Sequence, residues 1–205
     1  FVFFHFCNIM LDKYKCKRQV KAICGTNYLF GKYNRRNSYY FSPFIPIWGW
    51  ATWKDTWDEV SLSLESSKLS LIKEIIDKTF INQHFCNWLY SNLAGAILGK
   101  EDSWGSFFTA SLLMNGGLGV TPFRNLVANI GMDGTHIKKG EYMPKSINMP
   151  TKNINIEKLS HPKRLEIDRN ALGNTIRNIN EINLVPTQSL LNNIIKYSKK
   201  LLRKL

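Results

Sequence analysis

Short apolar runs alternate with longer segments of helical period along this chain, and that alternation narrows the fold more than any other feature. VKAIC at 20–24 is a β-branched, apolar run ended by Gly25, which predicts a buried strand. Residues 39–41 predict another strand, and Pro43 and Pro46 exclude a helix from the stretch that follows. LGVTPF at 118–123 and NLVANIG at 125–131 predict two more, with Pro122 breaking between them. Elsewhere the apolar spacing is three and four. Phe3, Phe4, Phe6, Cys7, Met10, Leu11 and Tyr14 predict a helix over 3–16. Leu69, Ile72, Ile75 and Ile76, then Phe85, Trp88, Leu89 and Leu93, predict two helical pieces between 69 and 98. A further helix is expected after Asp102-Ser103, either of which can cap it, running to about Met114 and stopping at Asn115-Gly116-Gly117. Strands alternating with helices define the α/β class.

The remainder divides the chain. Residues 131–160 are polar and rich in glycine and proline, so an extended loop is expected there, over the surface or over a site. Helical spacing resumes after His161-Pro162. The closing SLLNNIIKYSKKLLRKL sets Leu190, Leu191, Ile194, Ile195, Leu201, Leu202 and Leu205 opposite its lysines, a basic amphipathic pattern. The expected organisation is therefore a main domain over 1–160 and a helical, basic extension over 161–205.

The chain has 205 residues, 44% of them hydrophobic, enough for one substantial core. Its net charge of +13 favours anionic partners. The basic residues concentrate at Lys13–Lys21 and Lys196–Lys204, each readable as a solvated surface or as a membrane- or phosphate-binding one. No nucleic-acid-reading motif accompanies them, so nucleic acid is not an expected partner. Cys7, Cys16, Cys24 and Cys86 have neither CxxC nor metal-ligand spacing and read as reduced thiols. FVFFHFC lacks the basic flank, long apolar stretch and cleavage site of a signal peptide. No apolar run approaches the ~20 residues of a bilayer span. The first residue is not Met, so the natural start is expected upstream.

Three strings can carry chemistry. IWGWATWKDTW at 47–57 holds four tryptophans within ten residues. Gly49 permits a tight backbone between Trp48 and Trp50, and the indoles can wall a sugar ring or form a packing corner. Glu101-Asp102-Ser103-Trp104 opens the predicted helix, where a carboxylate can accept an acceptor proton or simply cap. Asp133-Gly134-Thr135-His136 follows a predicted strand; His136 can reach a metal through its neutral imidazole or remain an ordinary hydrogen-bonded histidine.

The order of these strings carries more than each alone. FFxFC, a strand ending in Gly-Thr-Asn, YYFS, IWGWATWKDTW, DSW and NGGLGVTPFRNLVANIG…TH resemble the bacterial nucleotide-diphospho-sugar transferases of the family-two type, the haemolysin-like glycosyltransferases, over about residues 1–170. WGWATW and NLVxNIG…TH are the most specific pieces. The resemblance implies the C-terminal portion of an A-type nucleotide-sugar fold, a mixed sheet flanked by helices. It implies sugar transfer, with inversion, from a nucleotide-diphosphate donor to a glycan or lipid-linked acceptor of cell-surface polysaccharide synthesis. Gly49 and its neighbours would then form the glycine loop near the donor sugar. Trp48, Trp50 and Trp104 would shape the acceptor site, Asp102 would be the general base, and His136 would help hold Mg²⁺ or Mn²⁺ on the diphosphate. The implied location is cytoplasmic, with residues 187–205 resting on the anionic inner face of the cell membrane.

Two departures qualify the expected activity. Relatives carry an Asp-x-Asp motif just before the FFxFC helix, and none occurs in these 205 residues. The nucleotide-binding half is therefore expected before Phe1, and these residues alone are expected to be inactive. Relatives also read WDYQW where this chain has Trp104-Gly105-Ser106-Phe107-Phe108. If the acid after the Trp is the base, Gly105 has lost it and Asp102 is only a cap. A catalytically inactive, glycan-binding or scaffold relative is the alternative.

Overall fold

The computed structural model describes residues 2–31, 37–129 and 149–183. Its centre is a four-stranded mixed sheet of β1 (Val20–Cys24), β2 (Tyr39–Ser42), β3 (Trp50–Ala51) and β4 (Leu118–Pro122), in the order β2-β4-β1-β3. β1 and β4 run parallel, while β3 on β1 and β2 on β4 are antiparallel. A parallel pair needs a long crossover. Here it contains β2, β3 and four helices: α2 (Lys54–Asp58), α3 (Leu69–Thr79), α4 (Gln83–Ile97) and α5 (Trp104–Met114).

Burial on both faces explains why β1 reads as a continuous apolar run rather than an alternating one. The first helix, α1 (Val2–Tyr14), lays Phe6, Met10 and Tyr14 on one face of the sheet, against Val20, Ile23, Phe41 and Val120. Ala22 and Cys24 point the other way, toward Ile45 and to Phe108 and Leu112 of α5. A register shift between Val20 and Ala22 lets two residues three apart, Val20 and Ile23, share a face despite the period of two. Helices α3, α4 and α5 then form a second core with α6 (Arg169–Asn183), through Ile76, Phe85, Leu93, Leu113 and Ile176.

The ends of α5 follow from its sequence. Ser103, not Asp102, is the N-cap, its side chain accepting from the Ser106 N–H at 3.3 Å. At the other end Gly116 takes φ +62°, the Gly116 N–H reaches Leu113 O at 3.0 Å and the Gly117 N–H reaches Leu112 O at 2.8 Å. That pair of bonds is a Schellman turn, and it delivers the chain directly into β4.

Two expectations differ from the structure. Residues 125–129 of the NLVANIG run form no strand. Beyond Pro122 their backbone instead packs across the end of the sheet, the Leu126 N–H donating to Gly25 O at 2.9 Å. The helix expected after His161-Pro162 begins only at Arg169. Residues 161–168 bend at 163–164 and bridge Phe41 through Ile167, and α6 begins where the Asp168 carboxylate accepts from the Ala171 N–H at 2.9 Å. Leu159 and Leu165, on either side of the expected boundary at 160/161, both pack on the α1 side of the sheet. The segments 130–148 and 184–205, including His136 and the amphipathic stretch 187–205, lie outside the described residues. Among the described residues no helix is long and apolar enough to cross a membrane.

Candidate functional site

Three separate parts of the chain meet at the C-terminal edge of β1 and β4. The Gly25 N–H donates to Gly49 O at 2.7 Å, while Gly25 O accepts from Leu126. The Thr26 hydroxyl donates to Trp48 O, and the Asn27 N–H donates to the Asn125 side chain at 3.1 Å. The two glycines are sterically required. A Cβ on Gly25 would lie 2.6 Å from Val127 Cγ2, and one on Gly49 only 2.5 Å from the same methyl. Gly49 also sits at φ +64°, a left-handed conformation that side chains resist. The room it leaves is therefore filled by Val127.

That left-handed glycine sends its two tryptophans to different places. Trp50 enters β3 opposite Cys24 and joins an aromatic cluster. Its ring lies 5.8 Å from Trp57, 5.5 Å from Trp104 and 4.8 Å from Phe108. Phe108 is fully buried and forms the floor; Trp57 and Trp104 remain 39% and 45% exposed. The outcome is an open indole surface over an apolar base. Flat exposed rings of this kind can stack on the C–H face of a sugar. Trp48 turns away from that cluster and lies 6.4 Å from Tyr28, beside a cleft bounded by Phe44, Ile47, Trp88 and the start of α5.

The carboxylate candidate is differently placed. Asp102 is exposed, two residues before Trp104, and its side chain has no hydrogen bond or ion pair among the described residues. The capping work falls to Ser103, so Asp102 is left unengaged. Gly105 is buried, and a Cβ there would lie 2.3 Å from Ile47 Cδ1. Among the described residues no three His, Cys, Asp or Glu side chains gather to hold a metal ion, and they do not by themselves make a ligand set for Mg²⁺ or Mn²⁺.

The thiols fit a reduced reading. All four cysteines are free, and burial pushes the Cys7 and Cys24 thiols up to about 12, far from thiolate chemistry at neutral pH. Trp53, although part of the tryptophan string, is structural: its indole N–H donates to Leu11 O at 3.2 Å and ties this corner to α1. Sequence reasoning passed over Trp57, Tyr28, Trp88 and Asn92. Trp57 stood within the string already singled out; Trp88 and its neighbours showed only the spacing of an apolar helix face.

Comparison with protein-family models, curated proteins and solved structures found no match to this chain.

Proposed function

We propose that this chain is the acceptor-side part of a family-two-type glycosyltransferase with the A-type nucleotide-sugar fold. It would act with inversion on a nucleotide-diphosphate sugar and a glycan or lipid-linked acceptor. The observation that carries the reading is convergence. The strings that bear the resemblance, at 25–27, 48–50, 104 and 125–127, lie far apart in sequence yet adjoin at one sheet edge. Ligands of α/β proteins characteristically bind beyond the carboxyl ends of parallel strands, and this edge is such a place.

In the proposed reaction an acceptor hydroxyl oxygen attacks the anomeric carbon of the donor. The bond from that carbon to the diphosphate breaks, its electron pair leaves with the nucleotide, and the acceptor proton passes to a carboxylate. Asp102 is the candidate for that last role. Trp50, Trp57 and Trp104 would hold the acceptor ring. The donor and its divalent metal need acidic groups beyond the described residues, His136 contributing from its own segment.

A specific observation favours a second reading, a glycan-binding relative without transfer activity. Where the resemblance expects an acid, this chain carries Gly105, buried against the terminal methyl of Ile47. The test uses the protein including whatever its gene encodes before Phe1, incubated with nucleotide sugars, Mg²⁺ or Mn²⁺ and oligosaccharide acceptors. Sugar transfer lowered at least about a hundredfold by Asp102→Asn, a general-base loss, would support the enzyme. Transfer unchanged by that substitution would remove Asp102 from the mechanism. Saturable oligosaccharide binding without turnover would select the second reading, and neither binding nor turnover would overturn both.

A further inference from the structure

We infer that the cleft between residues 44–48 and the facing sides of α4 and α5 is a subsite for a single neutral sugar ring. The inference rests on the sugar-recognition reading above and names the ligand class that this part of the site would take. The cleft encloses about 220 Å³. Cavities for drug-sized ligands run to roughly 300–1,000 Å³, so this one suits a single ring.

Its walls mix aromatic rings with aliphatic side chains, Ile45, Ile47 and Leu89 among them. Trp48 and Trp88 are both half-buried, and Trp88 is held by Phe85 at a ring separation of 5.4 Å. Its polar groups are all uncharged. Asn92 lies one turn beyond Trp88 on α4, and Thr109 one turn beyond Ser106 on α5, so each helix presents a pair to the cleft. The side chains of Tyr28, Asn92 and Thr109 make no hydrogen bond to a neighbouring side chain or backbone among the described residues. Ser106 is already engaged with Ser103, at 3.0 Å.

No lysine, arginine, aspartate or glutamate lines the cleft. That decides the class of ligand. A uronic acid or sugar phosphate would give up its water with no cation to meet it, a cost a neutral ring does not carry. A pyranose offers an apolar face to the indoles. Its hydroxyls both donate and accept, matching an amide and a hydroxyl.

The test titrates the 205-residue chain with methyl glycosides of glucose, galactose and N-acetylglucosamine, and in parallel with glucuronic acid and glucose 1-phosphate. Tryptophan fluorescence and saturation-transfer NMR report binding, and circular dichroism checks that each variant is folded. At least one neutral glycoside should bind saturably. Its Kd should rise about fivefold, the loss of one hydrogen bond, in Asn92→Ala or in the near-isosteric Thr109→Val. Lys17→Ala, at the other end of the sheet, should leave it unchanged. No saturable neutral binding, tighter binding of the acidic sugars, or neutral binding unmoved by both cleft variants would each overturn the subsite. Transfer retained without cleft binding would sink the subsite alone. Variant-sensitive binding without transfer would sink the enzyme reading and leave the subsite standing.

Discussion

At its C-terminal end β1 leads through Gly25 to a surface of indoles, amides and hydroxyls. At its N-terminal end Lys21 opens onto a cavity of about 540 Å³ lined by Lys15, Lys17, Arg18, Asp55 and Glu59. One short strand thus separates two chemistries. At the charged end Lys15 is paired with Asp12 and Lys21 with Glu59, while Lys17 and Arg18 have no ion pair among the described residues. The neutral end is held by backbone bonds and steric fit at two glycines. A net charge of +13 therefore describes the molecule without describing its candidate site. Charge predicts long-range attraction to anions; it does not predict what a cleft without charges will hold.

Substitutions at the two ends should behave differently, and the largest effect belongs to the neutral one. Phe108→Ala removes the buried floor beneath Trp50, Trp57 and Trp104 and should cost about 3–5 kcal/mol. Urea denaturation should show that loss to be insensitive to salt, with the tryptophan emission shifting as the indoles lose their support. A loss below about 1 kcal/mol would mean the cluster is looser than its geometry.

Glu59→Gln should have a smaller effect, of about 1 kcal/mol, because the nearly buried Lys21 Nζ keeps an acceptor but loses the opposite charge. Half-exposure of Glu59, at 44%, holds the effect down. Here the contrast sharpens: this loss should shrink as salt is raised from 0.05 to about 0.5 M, since screening acts on exposed charge. Equal salt response in both variants would erase the distinction between the ends.

The smallest effect is a pH dependence near α1. Tyr14 bonds Tyr39 through their hydroxyls at 2.5 Å, and Tyr39 bonds His161 Nδ1 at 2.9 Å. Burial, with the Lys13 charge second, holds His161 below its ordinary value of 6.5. The unfolded chain therefore takes the proton first. Stability from this group is full above about pH 6.5 and is lost as pH falls through the lowered folded value. Thermal melts between pH 7.5 and 5 should show a slight decline that His161→Gln removes; an unchanged slope in that variant would assign the decline to other groups.

Much of this arrangement was legible in the sequence because its signals are local. The Asp102-Ser103 pair and Asn115-Gly116-Gly117 bracket α5, and VKAIC and residues 39–41 are strands, because caps, turns and buried runs are set by neighbouring residues. NLVAN misled because a short apolar run fits a strand as well as any buried segment. What decides it is distant: Asn27 bonds Asn125, and Gly25 takes the Leu126 N–H. The site divides the same way. The tryptophan string was conspicuous, but not that Trp48 and Trp50 part company around Gly49, nor that Trp48 and Trp88 come to line one cleft. Those pairings depend on a left-handed φ and on helix packing, neither of which one sequence displays.

Helix α5 ties the two ends together. Trp104 stands at its start in the indole cluster, and the turn at its end brings Gly117 so close to Lys21 that a Cβ there would lie 2.6 Å from Lys21 Cγ. Both ends are fixed, so the helix has a phase as well as a length. One residue added within it would rotate everything upstream by about 100° relative to the Schellman turn. Trp104 would swing off Trp50, and Ser106 and Thr109 would leave the cleft together, while the composition of the helix hardly changed. The site is in this sense timed by residue count: eleven residues between cap and turn bring two surfaces into step, and ten or twelve would not.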